Sequence, residues 1–219
     1  MQDNTQPFGR FRRCFIFCHI VSQVSKWYLR ADEGRIAGQV QACPECCGSG
    51  RDTHLCYNWN MDLRNIIEVI ATLRERLEPV ERATTLTDVL EGQRPQARKA
   101  AVLLALFEEH QETYLAFIRR ASTLRSHSGE IAFPGGSVDT ADLSPVMTAL
   151  REAQEEIGLD PTRAEVLGIL SPVFTVVSNF LIIPVVAFLP QGLGTLQLQA
   201  SEVAEIILVP LHGLVDPSI

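Results

Sequence analysis

The sequence predicts an α/β fold because of three features in its second half. Residues 100–107 and 113–118 are apolar runs of strand length separated by a polar turn, which favours a hairpin. Residues 145–157 have the periodicity and end residues of an amphipathic helix. Further apolar runs of strand length occupy residues 165–170, 180–189 and 202–211. Strands therefore flank one well-defined helix.

The predicted helix begins and ends at residues suited to those positions. Ser144 is a good N-cap, and Pro145 fits the first helical position, where its missing N–H breaks no helical hydrogen bond. Gly158 supplies the left-handed residue that commonly follows a helix. The helix is therefore expected to span about Pro145 to Ile157, directly after a glycine-containing loop at residues 135–142.

Three glutamates of this helix, Glu152, Glu155 and Glu156, fall within an arc of about 100°, flanked by Arg151 and Thr148. The opposite, core-facing side is expected to hold Val146, Leu150, Ala153 and Ile157. Carboxylates at these spacings repel one another, and the helix dipole disfavours them near the C-terminal end. A hard divalent cation such as Mg²⁺ or Mn²⁺ would relieve that repulsion. The alternative is a solvated acidic helix face.

Composition limits the classes of function. The 219 residues are 46% apolar, which suffices for one packed domain with an appended segment. The formal charge of −7 argues against a general nucleic-acid binder. The apolar runs fall short of a membrane span. We therefore expect neither a nucleic-acid nor a membrane partner, and a cytoplasmic location.

Composition also changes near Met61. All six cysteines precede it, and residues 1–60 carry seven Lys and Arg against five Asp and Glu, whereas the remainder carries twelve against twenty-one. Cys43 and Cys46 have the C-x2-C spacing of a zinc knuckle, but a second such pair is lacking, so an extension without zinc is favoured. The basic and apolar start has weak features of a mitochondrial transit sequence. Met61 is an alternative start of the functional chain.

Residues 61–97 are expected to form a helical lead-in and a linker. Asp62 is the predicted N-cap of a helix that Pro79 stops. Its apolar residues at helical spacing are Leu63, Ile66, Ile67, Ile70, Leu73 and Leu77. The polar stretch 84–96 then leads into the second predicted domain, at residues 98–219.

The helix and its preceding loop resemble the Nudix box, G-x5-E-x7-R-E-U-x-E-E-x-G-U, in which U is a bulky aliphatic residue. The matching positions are Gly136, Arg151, Glu152, Glu155, Glu156, Gly158 and Leu159. Ala153 stands where a bulkier aliphatic residue is usual. Asp142 replaces the first glutamate, and eight residues rather than seven separate it from Arg151.

A second motif lies upstream of the box. The stretch from Arg120 to Gly136 is similar to R-[SA]-x3-R-x3-G-x3-F-P-G-G, which is found in the coenzyme A diphosphatases of the Nudix family, and every fixed position is filled. Asp139 and Asp142, with one extra residue before the arginine, are characteristic of the same subgroup. The departure from the general box therefore supports this narrower resemblance.

The resemblance implies an α/β/α sandwich with a mixed sheet. It also implies a hydrolase that splits the diphosphate of a small-molecule substrate, coenzyme A or its thioesters, into 3′,5′-ADP and 4′-phosphopantetheine or its acyl form. Another Nudix substrate, such as ADP-ribose or a dinucleotide, and a non-catalytic module are the alternatives. Family members continue beyond residues 202–211 through another strand and a closing helix. The chain is therefore expected to lack both, which would leave a sheet edge that favours homodimers or aggregation.

The resemblance also implies roles for individual residues. The implied ligands of Mg²⁺ or Mn²⁺ are Glu152, Glu155, Glu156 and the Gly136 carbonyl. Arg151 would orient a box glutamate through an ion pair. Arg120 and Arg125 are the candidates for substrate phosphates, with salt bridges as their alternative role. The catalytic base is left open between Glu155 and a residue of the later loops. Glu202 and Glu205 are secondary candidates, and at least one of them is expected to be surface charge.

Overall fold

The computed structural model describes residues 62–82, 96–123, 129–176 and 178–215. Three groups of sequence-based predictions lie outside these residues. They concern phosphate binding by Arg125, the zinc and transit features of residues 1–60, and most of the polar link at 84–96. All three stay predictions.

The predicted hairpin is confirmed. Strand β1 (Arg98–Glu109) and strand β2 (Glu112–Arg120) are antiparallel neighbours joined by His110 and Gln111. Both turn residues have positive φ, 51° and 63°, as in the tight hairpin turns whose twist matches that of the strands. The eight residues of β1 from 100 to 107 are all buried, which explains their continuous apolar character.

Six further strands complete a mixed sheet. They are β3 (Ile131–Ala132), β4 (Gly135–Ser137), β5 (Glu165–Ile169), β6 (Val173–Thr175), β7 (Phe180–Phe188) and β8 (Val203–Pro210). β7 runs parallel to β1, and the other described strand pairs are antiparallel. β4 pairs with the start of β1, whereas β3 and the start of β8 pair with the end of β2. The glycine loop and the start of β8 therefore lie at the same end of the sheet.

Helices cover both faces of this sheet. Helix α1 (Ile66–Arg76) packs on the face that carries Val102, Leu104 and Leu106, and helix α2 (Pro145–Ile157) packs on the face that carries Ala101, Leu103 and Ala105. Successive residues of a strand point to opposite faces, so β1 contributes to both cores. The result is the predicted α/β/α sandwich. No helix in the described part of the chain has the length and apolar character needed to cross a membrane.

Helix α1 begins later than predicted. Its N-cap is Asn65, whose side chain accepts the Ile67 N–H, whereas Asp62 accepts the Arg64 N–H in the preceding turn. Asn caps a helix as well as Asp does, and the prediction of Asp62 did not consider Asn65. From the later start, Val69 is buried, and Ile67, which we expected on the packing face, is 75% exposed.

Helix α2 has the predicted bounds but a different buried face. The Ser144 side chain accepts the Met147 N–H, and Gly158 ends the helix at φ 71°, as expected. The fully buried residues are Thr148, Ala149, Ala153, Glu156 and Ile157, whereas Val146 and Leu150 are only partly buried. The prediction that Glu156 and Thr148 belong to the polar face is therefore wrong, because their hydrogen bonds allow both to face the core.

Candidate active site

Glu156 is the most buried of the three box glutamates. Only 2% of its side chain is exposed, because it lies on the side of α2 that faces the sheet. The backbone N–H of Gly135 donates to its Oε2 at 2.9 Å, and Nη1 of Arg120 lies 3.7 Å from its Oε1. The upstream motif and the box therefore meet at this carboxylate.

The surroundings of Glu156 disfavour its charged form. Burial is the largest influence and, with the negative charges of Glu152 and Glu202, raises the pKa of Glu156 to about 7. The Gly135 hydrogen bond and the charge of Arg120 act in the opposite direction. An ionised Glu156 is thus only partly compensated by its protein neighbours, and a cation beside it would complete the compensation.

Glu152 and Glu155 point to different environments. The Glu152 side chain is 16% exposed, and burial raises its pKa against the opposing effect of Arg151. Its carboxylate lies directly over Gly136, where an added Cβ would come within 2.5 Å of it. Glu155 is 61% exposed and turns toward Arg151. The three glutamates lie on one helical arc in the sequence analysis, but in the structure they do not share one solvated surface.

Arg151 holds the polar groups of the site together. Its Nε and Nη2 donate to the two carboxylate oxygens of Asp142 at 3.1 and 2.9 Å, and Nη2 also donates to the Ser137 carbonyl at 3.1 Å. Its Nη1 donates to Glu152 at 3.0 Å and to Glu155 at 3.1 Å. Hydrogen bonding to Asp142, and secondly to Glu152, raises the pKa of Arg151 against the opposing effect of burial. The structure thus shows an arginine that orients two box glutamates at once.

Asp142 is the site residue that the sequence analysis did not assign. Besides Arg151, it accepts the Thr148 hydroxyl at 2.9 Å and the Asp139 N–H at 2.9 Å. Hydrogen bonding by Arg151 lowers the pKa of Asp142 to about 2. The available signal was its position, since it stands where the general box has glutamate. A shorter side chain and one extra residue together place a carboxylate against the box arginine.

The two later glutamates separate clearly. Glu205 pairs with Arg119 across β8 and β2, and more than half of its side chain is exposed. Glu202 precedes β8, and its charge contributes to the raised pKa of both Glu152 and Glu156. The expectation that at least one is surface charge therefore fits Glu205, whereas Glu202, which is also exposed, differs in that its charge acts on the box glutamates.

Gly136→Ala is expected to reduce activity while preserving the fold. The added Cβ would overlap the Glu152 carboxylate, the movable end of a side chain, so the carboxylate shifts and the backbone need not. We expect kcat to fall by about 10- to 100-fold and the free energy of unfolding to change by less than about 1 kcal/mol. Urea unfolding and steady-state kinetics with Mn²⁺ would measure both.

Gly135→Ala provides the matched contrast. Gly135 has φ 154°, and a Cβ there would lie 2.4 Å from the Ala101 carbonyl oxygen, which belongs to the rigid backbone of β1. We expect this variant to lose more than about 2 kcal/mol of stability. Equal stability losses in the two variants would contradict the different positions assigned to these glycines.

Comparison with known proteins identifies the family of this chain. The family described as the NUDIX domain matches residues 97–218, which is more than half of the chain and includes every site residue above. The chain belongs to the Nudix family. Nudix proteins act on small molecules that contain a diphosphate and generally use divalent cations such as Mg²⁺ or Mn²⁺.

Two bacterial relatives carry the description "Uncharacterized Nudix hydrolase NudL". The protein of Photorhabdus laumondii is 46% identical over 114 residues, which are 52% of this chain and 59% of the relative. The protein of Citrobacter koseri is 38% identical over 132 residues, which are 60% of this chain and 67% of the relative. The chain thus spans about three fifths of the length of the first of these relatives.

Solved Nudix structures align with about half of this chain. The NUDIX domain of Shewanella oneidensis NrtR, determined with ADP ribose, aligns with a TM-score of 0.43 and 19% identity over 54% of this chain and 75% of that one. A C. elegans Ap4A hydrolase complex aligns with a TM-score of 0.44 and 18% identity over 53% of this chain and 82% of that one.

The donor chemistry of the Nudix site fits a hard divalent cation. Carboxylate and carbonyl oxygens are the ligands that Mg²⁺ and Mn²⁺ prefer, and a buried, incompletely compensated Glu156 is suited to a cation neighbour. Within the described residues, no group of three or more His, Cys, Asp or Glu side chains already converges on one metal position. Glu155 in particular bonds Arg151 through one carboxylate oxygen, Oε2.

Proposed function

We propose that this Nudix protein hydrolyses the diphosphate of coenzyme A or its thioesters, releasing 3′,5′-ADP and 4′-phosphopantetheine or its acyl form. The observation that carries the proposal is the approach of Arg120 to Glu156. Arg120 opens the motif that resembles coenzyme A diphosphatases, and Glu156 belongs to the box. Their proximity supports one site that combines the two motifs.

Glu152, Glu155, Glu156 and the Gly136 carbonyl are the proposed holders of Mg²⁺ or Mn²⁺. A cation there would neutralise charge on the diphosphate and make a neighbouring water more acidic. Arg151 donates hydrogen bonds to both Glu152 and Glu155, and Glu152 lies against Gly136 of the glycine loop. Arg120 would bring positive charge to a phosphate at the same end of the sheet, with Arg125 as a second candidate.

The proposed catalytic base is Glu155 or Glu202. Glu155 is exposed to solvent, where water is available, and it is held by a single bond to Arg151. Glu202 lies on the segment before β8, and its charge acts on Glu152 and Glu156. A base must reach the attacking water, so a carboxylate close to the box glutamates suits this role.

Glu202→Gln is expected to lower kcat by about 10- to 100-fold with little change in KM, because it removes a carboxylate beside the reacting centre and no proposed substrate contact. Glu205→Gln is the matched control, since Glu205 pairs with Arg119 at the surface. Steady-state kinetics on both variants would measure the difference. Similar kcat values for Glu202→Gln and Glu205→Gln would remove Glu202 from the reaction.

The substrate assignment is tested with the full chain on a panel of coenzyme A, acetyl-coenzyme A, ADP-ribose and a diadenosine polyphosphate, with Mg²⁺ or Mn²⁺. Chromatography should show 3′,5′-ADP as a product. Coenzyme A or acetyl-coenzyme A should have the highest kcat/KM of the panel. Preferred cleavage of ADP-ribose or the dinucleotide would overturn the substrate while keeping the reaction. Mn²⁺ binding without cleavage of any panel member would favour a non-catalytic module.

A further inference from the structure

Residues 190–202, which lie between β7 and β8, cover the C-terminal end of helix α2. We call this segment the strap. The Gln197 N–H donates to the Ile157 carbonyl and the Gln199 N–H donates to the Glu156 carbonyl, both at 2.9 Å. The last carbonyls of a helix have no partner within the helix, so the strap satisfies two of them. It is thereby bonded to the turn of α2 that carries Glu156.

Close packing fixes the strap at this place. An added Cβ on Gly158 would lie 2.8 Å from the Gln197 backbone nitrogen, so the strap passes directly over the residue that ends the helix. Leu193 and Leu196 are partly buried against the core between α2 and the sheet. The strap therefore has little freedom to slide along the helix end without losing packed contacts.

Arg163 fixes the beginning of the strap. It ends the short helix Pro161–Arg163 that follows α2. Its Nη2 donates to the carbonyls of Gln191 at 2.8 Å and Gly192 at 3.2 Å, and its Nη1 donates to the Leu193 carbonyl at 3.4 Å. The guanidinium presents its donors in one rigid plane, so a single side chain sets the orientation of three consecutive peptide groups.

The end of the strap carries Glu202 to the site. The Glu202 N–H donates to the Gln199 carbonyl, and the Glu202 carbonyl accepts the N–H of Ala121, each at 2.8 Å. Ala121 is the residue after Arg120, whose guanidinium faces Glu156. The strap thus runs from Arg163, across the end of α2, to the groups around the box.

We infer that Arg163 is a positioning residue, which sets the place of Glu202 next to the backbone of Arg120 and Ala121 by fixing the strap at its first turn. The inference rests on the proposed function, in which Glu202 is a candidate base and its negative charge acts on Glu152 and Glu156, two of the proposed holders of the cation. Arg163 itself does not touch the proposed site. Its effect on activity therefore passes through Glu202, whereas its effect on stability does not.

A double-mutant cycle separates these two effects. The variants are Arg163→Ala, Glu202→Gln and their combination, with Arg82→Ala as a control that breaks an exposed ion pair with Glu78. We expect Arg163→Ala to lower kcat by about tenfold with KM nearly unchanged, and to change kcat by less than about twofold when Glu202 is already Gln. The loss of unfolding free energy should be the same in both backgrounds.

The same cycle is read without catalysis by titrating the free protein with Mn²⁺ and measuring the unbound ion by electron paramagnetic resonance. Arg163→Ala should weaken Mn²⁺ binding only when Glu202 is present. The inference would be overturned if Arg163→Ala changed kcat by the same factor before and after Glu202→Gln, and changed Mn²⁺ affinity by the same factor in both backgrounds. Arg163 would then be a purely stabilising residue. If Arg163→Ala does not fold, Arg163→Lys replaces it, because a single ammonium keeps the charge and loses the planar fork.

Failure of the proposed function would look different. In that case the wild-type chain cleaves no panel substrate, yet the Mn²⁺ cycle still reports whether Arg163 and Glu202 are coupled. Coupled Mn²⁺ binding without hydrolysis would uphold the positioning role and reject the activity. Hydrolysis of a panel substrate without coupling between Arg163 and Glu202 would uphold the activity and reject the positioning role.

Discussion

Glu156→Gln is expected to abolish metal-dependent hydrolysis and to leave the fold intact. Gln has nearly the shape of Glu, and its amide oxygen can still accept the Gly135 N–H. It has no negative charge for a divalent cation, and it no longer attracts Arg120. We expect kcat to fall by about 1,000-fold or more, with a circular dichroism spectrum like that of the wild type.

The same substitution is expected to stabilise the metal-free protein at neutral and alkaline pH. The pKa of Glu156 is raised to about 7 in the folded state from its ordinary 4.5. Ionisation of Glu156 therefore has no effect on the free energy of unfolding below pH 4.5. As pH rises from 4.5 to 7, ionisation lowers this free energy increasingly, and above pH 7 the loss is constant. The full cost is at most about 3 kcal/mol, and Gln removes it.

Urea unfolding at several pH values, with a chelator present, measures this effect. Glu155→Gln is the matched control for stability, since Glu155 is largely exposed and its replacement should change the free energy of unfolding by less than about 1 kcal/mol. Near-normal turnover of Glu156→Gln with Mn²⁺ would remove this residue from the proposed cation site. A loss of stability at pH 8 would show that the buried carboxylate is better compensated than its neighbours indicate.

The central secondary structure could be predicted from local sequence. Ser144, Pro145 and Gly158 define helix α2 through backbone chemistry that depends on neighbouring residues alone. The hairpin follows from two apolar runs and a polar turn for the same reason. Helix α1 shows the limit, because Asn65 and Asp62 are both suitable caps and only packing against the sheet selects between them.

The arrangement of the carboxylates could not be predicted in the same way. Helical spacing places Glu152, Glu155 and Glu156 on one arc, but it does not say which side of that arc the sheet covers. Contacts from distant residues decide this, since Gly135 and Arg120 provide polar partners that let Glu156 face the core. Sequence spacing is equally silent on the strap, whose backbone bonds to α2 join residues about forty positions apart.

Asp142→Asn is expected to reduce both stability and activity, because Asp142 is the bidentate partner of Arg151. The neutral amide keeps the size of the side chain but presents one oxygen and one NH₂ to a guanidinium that can only donate. Arg151 should then shift toward Glu152 and Glu155, its remaining carboxylate partners. We expect kcat to fall by about 10- to 100-fold. An increase in KM with unchanged kcat would contradict the role of Asp142 in positioning Arg151.

The stability effect of Asp142 has a definite dependence on pH. Its pKa is lowered to about 2 in the folded state from an ordinary 3.8, so its contribution is present above pH 3.8 and is lost as pH falls through 2. The shift corresponds to about 1 to 2 kcal/mol after allowance for the solvent that reaches Arg151. Urea unfolding between pH 7 and pH 2 should therefore show the free energies of unfolding of wild type and Asp142→Asn converging as the pH approaches 2.

Glu78→Gln, which breaks an exposed ion pair with Arg82, is the control. A constant difference between wild type and Asp142→Asn down to pH 2 would mean that the shape of the Asp142 side chain, and not its charge, holds Arg151 in place.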